Sequence, residues 1–419
     1  MQVPKTKKKR VVVIGGGFAG FQFIKRIDDR YFQTVLIDRN NYHQFLPLIY
    51  QVASTGLEAA SICFPFRRLF GDKKDFYFRL AEVQRIDSAR KVVVTSIGEI
   101  DYDYLVICAG AKTNFFHNAH FEQYAIPMKT VEDALYLRNR IIENFEQATI
   151  LDRQEWEPYE NIVVVGGGAT GVEVSGVISE MRKYAFKRNF RELKGFKMNI
   201  YIVSSKILGS MSDRASAIAE KTLKKMGVKL VLGKKVTDYE NDVVTLSDGS
   251  TIRSKTLIWV SGVVAETIEG VPTESIGHGG RILCDDKMHV QGMQDVFAAG
   301  DIALTTEEKY PNGHPQLAQV AMQQAKLIAD NLNAERLGKA TKSFRYLNLG
   351  SMATIGRRKA VADLGSWHFG GFFAWVIWSF IHLRSILGAK NKLVVLIDWV
   401  VNYFSYIASL RSIRLKGKR

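Results

Sequence analysis

Two copies of one turn constrain this chain more than any other feature. VVVIGGGFAG occupies Val11–Gly20, and IVVVGGGATG occupies Ile162–Gly171. Each is an apolar strand running without a break into G-x-G-x-x-G. The first glycine (Gly15, Gly166) makes the tight turn. The second (Gly17, Gly168) lets backbone approach a pyrophosphate, and the third (Gly20, Gly171) lets the next helix pack close to the sheet. The phosphates then lie at that helix's N-terminus, where free N–H groups and the helix dipole favour an anion. One such turn is a weak signal. Two of them, about 150 residues apart, predict an α/β fold with two Rossmann-type dinucleotide-binding domains. A flavin and a nicotinamide bound face to face would make an electron-transfer enzyme.

The first strand, Val11–Ile14, is followed by a predicted helix to about Asp28 and a strand at Val35–Ile37. Arg39 to about Phe66 reads as long and irregular. Tyr102–Ala109 is an apolar strand ending at Gly110, and a polar helix is expected from about Thr130 to Ile150. The second turn opens a new β-α-β unit whose helix runs to about Lys187. Ser247-Asp248-Gly249 marks a hairpin, Asp295–Ala299 a short strand, and Gln316 to about Leu332 a helix. The second nucleotide domain is thus inserted in the first. We expect an FAD-binding domain at 1–118 and 285–350, an NAD(P)H-binding domain at 119–284, and a C-terminal membrane-anchoring region at 351–419.

Asp38 ends the second strand, 18 residues after Gly20. A carboxylate there can accept both hydrogen bonds from an adenosine ribose, although a solvated loop acid would look the same. Arg39 and Gly110 stand at neighbouring strand ends and join the cofactor-binding set. Asp301 closes VFAAGD and suits a flavin ribityl chain; its bland alternative is a helix N-cap. Glu173 lies two residues past Gly171. It either compensates the helix dipole from the first turn or acts as a carboxylate at the cofactor junction. Ser204 and Ser205 end a strand where an NADH site usually carries an acid. The missing acid removes a repulsion against a 2′-phosphate, unless another residue binds the ribose. Gln319 and Gln323 share a helix face beside Ala318, Ala321 and Ala325. Small residues admit a flat ring and amides donate to its carbonyls, as a quinone needs; an ordinary buried helix is the alternative.

The formal charge of +16 points to nucleic acid or an anionic membrane surface. No arginine-rich recognition helix, RNA-binding aromatic pair or metal-ligand spacing occurs, so nucleic acid and metal are set aside. The three cysteines, Cys63, Cys108 and Cys284, are far apart, which argues against a dithiol or a disulfide framework. The basic start (Lys5, Lys7–Lys9, Arg10) mimics a signal peptide, but the glycine fingerprint lies in the apolar run that follows. Gly370–Ile381 is too short to span a bilayer. Leu393–Leu410 is nearly long enough, but carries a polar stripe of Asp398, Asn402, Ser405 and Ser409. Arg384, Lys390 and Lys392 precede it; Arg411, Arg414, Lys416, Lys418 and Arg419 follow. That reads as a helix lying in a membrane interface, with a dimer or core helix as the alternative.

These residues resemble the type II NADH:quinone oxidoreductases over nearly the whole chain. The resemblance rests on both turns, IDRNNYHQFLPLIYQVA (Ile37–Ala53), GGGATGVE (Gly166–Glu173), FAAGD (Phe297–Asp301), AQVAMQQ (Ala318–Gln324) and the aromatic tail. It implies non-covalent FAD, NADH as donor and a membrane quinone as acceptor, without proton pumping. It also implies a quinone tunnel by Gln319 and Gln323, Glu173 near nicotinamide and flavin, and a monotopic anchor, expected on the cytoplasmic face of the cell membrane. Homodimerisation is left open. Where the family commonly carries Val-Glu-Ala, this chain has Val203-Ser204-Ser205, which puts strict NADH preference in doubt and leaves NADPH open. The competing readings are a sulfide:quinone oxidoreductase, which needs cysteines beside the flavin, and a non-catalytic nucleotide-sensing membrane flavoprotein.

Overall fold

A computed structural model describes the backbone of residues 1–405 and side chains through residue 401. The side chains of Asn402 and Ser405, together with Ser409 and the basic positions from Arg411 on, lie outside the described residues. The strands used below are β1 (Lys9–Ile14), β2 (Phe32–Asp38), β3 (Phe76–Leu80), β4 (Tyr104–Ile107), β5 (Ile126–Pro127), β6 (Asn161–Val165) and β7 (Asn199–Ser204). They continue with β8 (Val228–Leu232), β9 (Thr256–Trp259), β10 (Val296–Ala298), β11 (Ser351–Thr354), β12 (Ala360–Leu364) and β13 (Trp367–Gly371). The helices are α1 (Phe18–Arg26), α2 (Ile49–Ala53), α3 (Val131–Ala148), α4 (Ala169–Glu180), α5 (Ala318–Arg336), α6 (Phe372–Ser385) and α7 (Ala389–Ser405).

Met1–Gln44, Cys63–Lys112 and Val263–Asn348 form one compact unit. Its five-stranded parallel sheet has the order β10-β4-β1-β2-β3. Ile14, at the end of β1, lies beside Ile37 on one side and Ile107 on the other. Val11–Ile14 are all buried, so the central strand is uniformly apolar instead of alternating. Helices α1 and α5 pack together on this core, with Phe23, Ile24, Ile328 and Leu332 buried. The stretch read as irregular contains a short antiparallel pair here, Tyr42–Gln44 with Cys63–Pro65.

The other unit takes Phe45–Ile62, Thr113–Gly262 and the chain from Leu349 on. Its parallel sheet has the order β5-β9-β6-β7-β8, again with the glycine-turn strand in the middle. All five residues of β6 are buried. Helix α3 starts with a capping box: the Thr130 side chain accepts the Asp133 N–H, and the Asp133 carboxylate accepts the Thr130 N–H. The expected hairpin is present, with Val243–Leu246 antiparallel to Thr251–Arg253. The helix after the second turn is not uniform. It is α-helical to Glu180, then runs as π-helix over Met181–Phe186. An antiparallel β11-β12-β13 sheet leads into α6 and α7. Among the described residues no helix is long and apolar enough to cross a membrane.

Candidate functional site: two glycine turns and two half-buried acids

In the first unit the chain turns at Gly15, with φ 92°. A Cβ there would strike the Cys108 carbonyl. One on Gly20 would fall on the carbonyl oxygen of Gly15. These positions are glycine for steric reasons. The Gly16 N–H donates to Asp38 Oδ2 at 2.7 Å, and the Asn40 N–H donates to Oδ1 at 2.7 Å. Burial pushes the Asp38 carboxyl up, while the two N–H groups pull it down. Gly17 is the N-cap of α1. It has no side-chain cap, no acid follows in the first turn, and the space beside its Cα is open. The first N–H groups of α1 are therefore left for an anion.

His43 is buried, and its Nδ1 lies 3.0 Å from the Gly16 carbonyl. Burial holds its pKa down, so the neutral ring donates Nδ1–H to that carbonyl. At the neighbouring strand ends, Gly110 takes φ 76° and its carbonyl accepts the Glu266 N–H at 3.1 Å. Arg39 pairs loosely with Glu266, at 3.7 Å. Gly300 precedes Asp301 with φ 85°, its backbone close against Ala19 and Ala321. Part of the small-residue face of α5 thus serves packing. No helix starts after Asp301, where a two-residue strand, Ala303–Leu304, follows instead; that removes the N-cap alternative.

Helix α5 begins at Ala318 behind Leu317, again without a side-chain cap or a first-turn acid. Gln319 is half-buried. The Gln323 amide is already engaged: Nε2 donates to the Leu347 carbonyl and Oε1 accepts the Leu347 N–H, both at 2.9 Å. Gln324, which no motif in the sequence singles out, is fully buried. Its Oε1 accepts the Gly300 N–H at 2.8 Å, while its Nε2 is an orphaned buried donor. Two uncapped helix N-termini, a strand-end carboxylate and a buried donor beside Gly300 fit an FAD with its pyrophosphate, ribose and ribityl groups.

The second unit repeats the turn. Gly166 has φ 116°, and a Cβ on it would come within 2.7 Å of the Val260 carbonyl oxygen. A Cβ on Gly171 would overlap the Gly166 carbonyl. Gly168 is the uncapped N-cap of α4. The Gly167 N–H donates to Ser204 Oγ at 3.0 Å, and that hydroxyl donates to the Lys206 carbonyl at 3.0 Å. Beside it is a cavity of about 420 Å³ lined by Ser204, Ser205, Lys234, Lys235 and Trp259 among others, with no carboxylate in its lining. The two lysines were not legible as site residues, because β8 and the turn after it carry no motif.

Glu173 is the fifth residue of α4 and not in the first turn, which holds no acid. The dipole-compensation alternative fails on this placement. Its carboxylate accepts the Thr354 N–H at 3.4 Å. Thr354 Oγ1 lies 2.8 Å from the Tyr50 hydroxyl, and Gln51 Nε2 donates to that hydroxyl at 3.0 Å. Trp399 Nε1 donates to Gln51 Oε1 at 2.8 Å, tying α7 to this chain of bonds. Desolvation pushes Glu173 up to about 8. Seven residues on, Glu180 accepts the Arg357 N–H, and burial raises it to about 7. Between them Gly176 lies against backbone, where a Cβ would be 2.6 Å from the Gly356 nitrogen. Glu173, Gly176 and Glu180 thus form one helix face against Thr354–Arg357. Of the three, Glu173 alone stands out in the sequence. The i, i+3, i+7 spacing was present, but nothing in the sequence said what it packs against.

The pyridine nucleotide-disulphide oxidoreductase family model matches residues 9–325, and the NDH2 C-terminal domain model matches residues 348–405. The type II NADH:quinone oxidoreductase Ndh of Mycobacterium tuberculosis is 34% identical over 95% of this chain and 89% of its own length. The chain belongs to the type II NADH:quinone oxidoreductases. An internal alternative NAD(P)H-ubiquinone oxidoreductase of Arabidopsis thaliana is 31% identical over 95% of this chain and 84% of its own. NDH2 of Plasmodium falciparum in complex with NADH has the same fold, with a TM-score of 0.89 at 20% identity, over 97% of this chain and all of that one. Within this family frame the two Rossmann-type sheets and the C-terminal helical segment are as expected, and the engaged amide of Gln323 and the Glu180 carboxyl are features of this chain's own geometry.

Proposed function

We propose that the chain oxidises NADH through non-covalent FAD and passes two electrons to a membrane quinone without pumping protons. The observation that carries this is the pair of uncapped glycine turns, each at the head of a helix in its own parallel sheet, in a chain of this family. Bound at the first turn, FAD supplies a two-electron relay between a hydride donor and a quinone. The FAD domain is assigned to 1–118 and 285–350, and the NAD(P)H domain to 119–284. Gly15, Gly17 and Gly20 admit the pyrophosphate, Asp38 holds the ribose with Arg39 and Gly110 nearby, Asp301 takes the ribityl chain, and Ala318 and Gln319 present backbone N–H groups. Gly166, Gly168 and Gly171 admit the nicotinamide dinucleotide, with Ser204 behind them and Glu173 as a proton-holding group. Gln319 and Gln323 are assigned to the quinone side, the Gln323 amide being held by Leu347.

No carboxylate lines the donor pocket, and of its two lysines Lys234 pairs with Asp248 while Lys235 adds positive charge, so it tolerates a 2′-phosphate, and NADPH is oxidised beside NADH. The sulfide reading is disfavoured by the thiols. Cys108 and Cys284 are buried, which pushes both up, Cys284 to about 12; a reactive thiolate needs the opposite.

The C-terminal segment acts as a peripheral anchor, on the cytoplasmic face of the cell membrane. Helix α6 exposes Phe372, Phe373, Val376 and Phe380, and α7 exposes Leu393, Leu396, Ile397 and Val400. Asp398 is half-buried, and the exposed apolar residues of α7 meet its surroundings. Denaturing the purified protein should release FAD, and the native enzyme should reduce a quinone with NADH; release of FMN, or no flavin, would end this reading. Replacing Phe373, Phe380 and Leu396 by Ser should free the enzyme from anionic liposomes while flavin stays bound. Continued binding would point to another surface.

A further inference from the structure

In the second unit the short helix Ala119–Tyr124 lies against the strand Val236–Glu240. That strand is the edge of a three-stranded antiparallel sheet, and its register shifts between Val236 and Asp238. A shift of this kind re-aims side chains. Tyr239 points inward: it is buried, and its hydroxyl donates to the Ser254 carbonyl at 3.0 Å. Asp238 and Glu240, on either side of it, therefore share the opposite face. His120 of the helix meets them there. Its Nδ1 lies 2.9 Å from Asp238 Oδ1, and one ligand atom from each of His120, Asp238 and Glu240 falls within 4.8 Å of the other two. His120 and Asp238 are 118 residues apart in the chain, so no spacing in the sequence announces the group.

Among the described residues this is the one place where three such groups converge. His289 with Asp285 and His368 with Asp363 are pairs without a third member. A simple ion pair would account for His120 and Asp238, but not for Glu240, whose carboxylate has no side-chain partner among the described residues. Asn118 braces the arrangement. Its Oδ1 caps the helix by accepting the Phe121 N–H at 3.0 Å, and its Nδ2 lies 3.4 Å from Asp238 Oδ1 and from the Thr237 carbonyl. A carboxylate held from behind in this way is how outer partners orient a metal ligand. Ligand atoms stand about 2.0–2.2 Å from Zn²⁺, hence about 3.3 Å from one another in a tetrahedron, so the His120–Asp238 contact has to open only slightly. Rotation of the exposed Glu240 side chain supplies the third ligand. One imidazole, two carboxylates and no thiol suit Zn²⁺, Co²⁺ or Ni²⁺; Ca²⁺ and Mg²⁺ take oxygen ligands.

We propose that His120, Asp238 and Glu240 bind one divalent ion of the Zn²⁺ class, with water completing the shell, and that the ion clips the helix to the edge strand beside the donor pocket. Asn118 and Thr237, next to Asp238, both line that pocket. Phe121 of the same helix lies on Trp259 of the pocket wall, with ring centroids 4.3 Å apart. The ion site stands on its own geometry; its link to the donor rests on the reading of that pocket given above. Occupancy cancels two negative charges at the edge of a pocket for a polyanionic dinucleotide, so donor binding tightens. The ion takes no part in hydride transfer.

The test uses the full-length, FAD-loaded enzyme, stripped with a chelator, and Zn²⁺ alone as the probe in isothermal titration calorimetry. One ion per chain is expected. His120→Asn and Glu240→Gln should each weaken binding roughly tenfold or more. The second changes the charge of one exposed side chain and leaves the fold intact. His289→Asn, at a pair without a third group, should leave binding as it is. Saturating Zn²⁺ should lower the KM for NADH about two- to threefold in wild type but not in Glu240→Gln, with kcat unchanged. No saturable binding, or binding that both ligand variants keep, would overturn the site. Binding as expected with KM unmoved would leave the site and remove its link to the donor. An enzyme that binds the ion in this pattern but never oxidises NADH would leave the site and end the functional reading.

Discussion

The two glycine turns solve the same steric problem and then part at one atom. In each, the N–H of the middle glycine donates to the side chain at the end of the second strand, Gly16 to Asp38 and Gly167 to Ser204. Asp38 is a carboxylate. After accepting from Gly16 and Asn40 it still has lone pairs for ribose hydroxyls. Ser204 has one hydroxyl, which accepts from Gly167 and gives its proton to the Lys206 carbonyl. So the serine keeps the loop in place but contributes little further to ribose binding. On the proposed reading, the same backbone motif carries a selective ribose site in one unit and a permissive one in the other, according to the strand-end residue.

The comparison breaks most visibly at the third glycine. Gly20→Ala and Gly171→Ala each drive a Cβ into the carbonyl of the first glycine of their own turn. Gly20→Ala should weaken FAD binding by at least ~100-fold, about 2.7 kcal/mol or more, so that the protein purifies colourless. Gly171→Ala should keep its flavin and lose reduction by NADH. If both variants lose flavin equally, the two turns do not serve different nucleotides.

The helices after the turns differ too. Helix α1 buries only Ala19, Gly20, Phe23 and Ile24, whereas α4 presents Glu173 and Glu180 to Thr354–Arg357. Glu173 is raised from its ordinary 4.5 to about 8, so the folded chain holds its proton across a range in which the unfolded chain has lost it. Stability from this group is full below about pH 4.5 and falls as pH rises through 8. Keeping the proton through each tenfold fall in proton concentration costs about 1.4 kcal/mol of folding stability, so the whole loss is on the order of several kcal/mol. Urea midpoints of the FAD-loaded enzyme between pH 5 and 8 should decline, and Glu173→Gln should flatten that decline. An unchanged slope would mean that the carboxyl is solvated.

The fold was legible because a strand buried on both faces and a glycine turn are both local signals. Val11–Ile14 and Ile162–Val165 announce themselves without knowledge of their neighbours. Of the candidate site, the strand-end residues that meet those turns, Asp38 and Ser204, were legible as such. It was not legible where contact depends on distant chain. Nothing in the sequence says that Gln323 meets Leu347, that His43 holds the Gly16 carbonyl, or that Glu180 lies against Arg357. The π-helical turn after Glu180 was equally hidden, because its composition is that of an ordinary helix.

The subtlest difference between the turns is also the most readily engineered. Ser204→Asp gives the second turn the side chain of the first. A carboxylate there can still accept the Gly167 N–H, as Asp38 accepts that of Gly16, and keeps an oxygen for the ribose. It also sets a negative charge in a pocket that now carries Lys234 and Lys235. The ratio of kcat/KM for NADH over NADPH should rise about 10- to 100-fold, or 1.4–2.8 kcal/mol. Most of that change should appear as a higher KM for NADPH, since the added charge opposes binding. Lys235→Ala, which removes attraction without adding repulsion, should move the ratio the same way by a smaller factor. Steady-state rates with both donors measure it. A wild type that ignores NADPH, together with a ratio unmoved by Ser204→Asp, would show that this strand end does not face the ribose and that the likeness between the turns is confined to backbone.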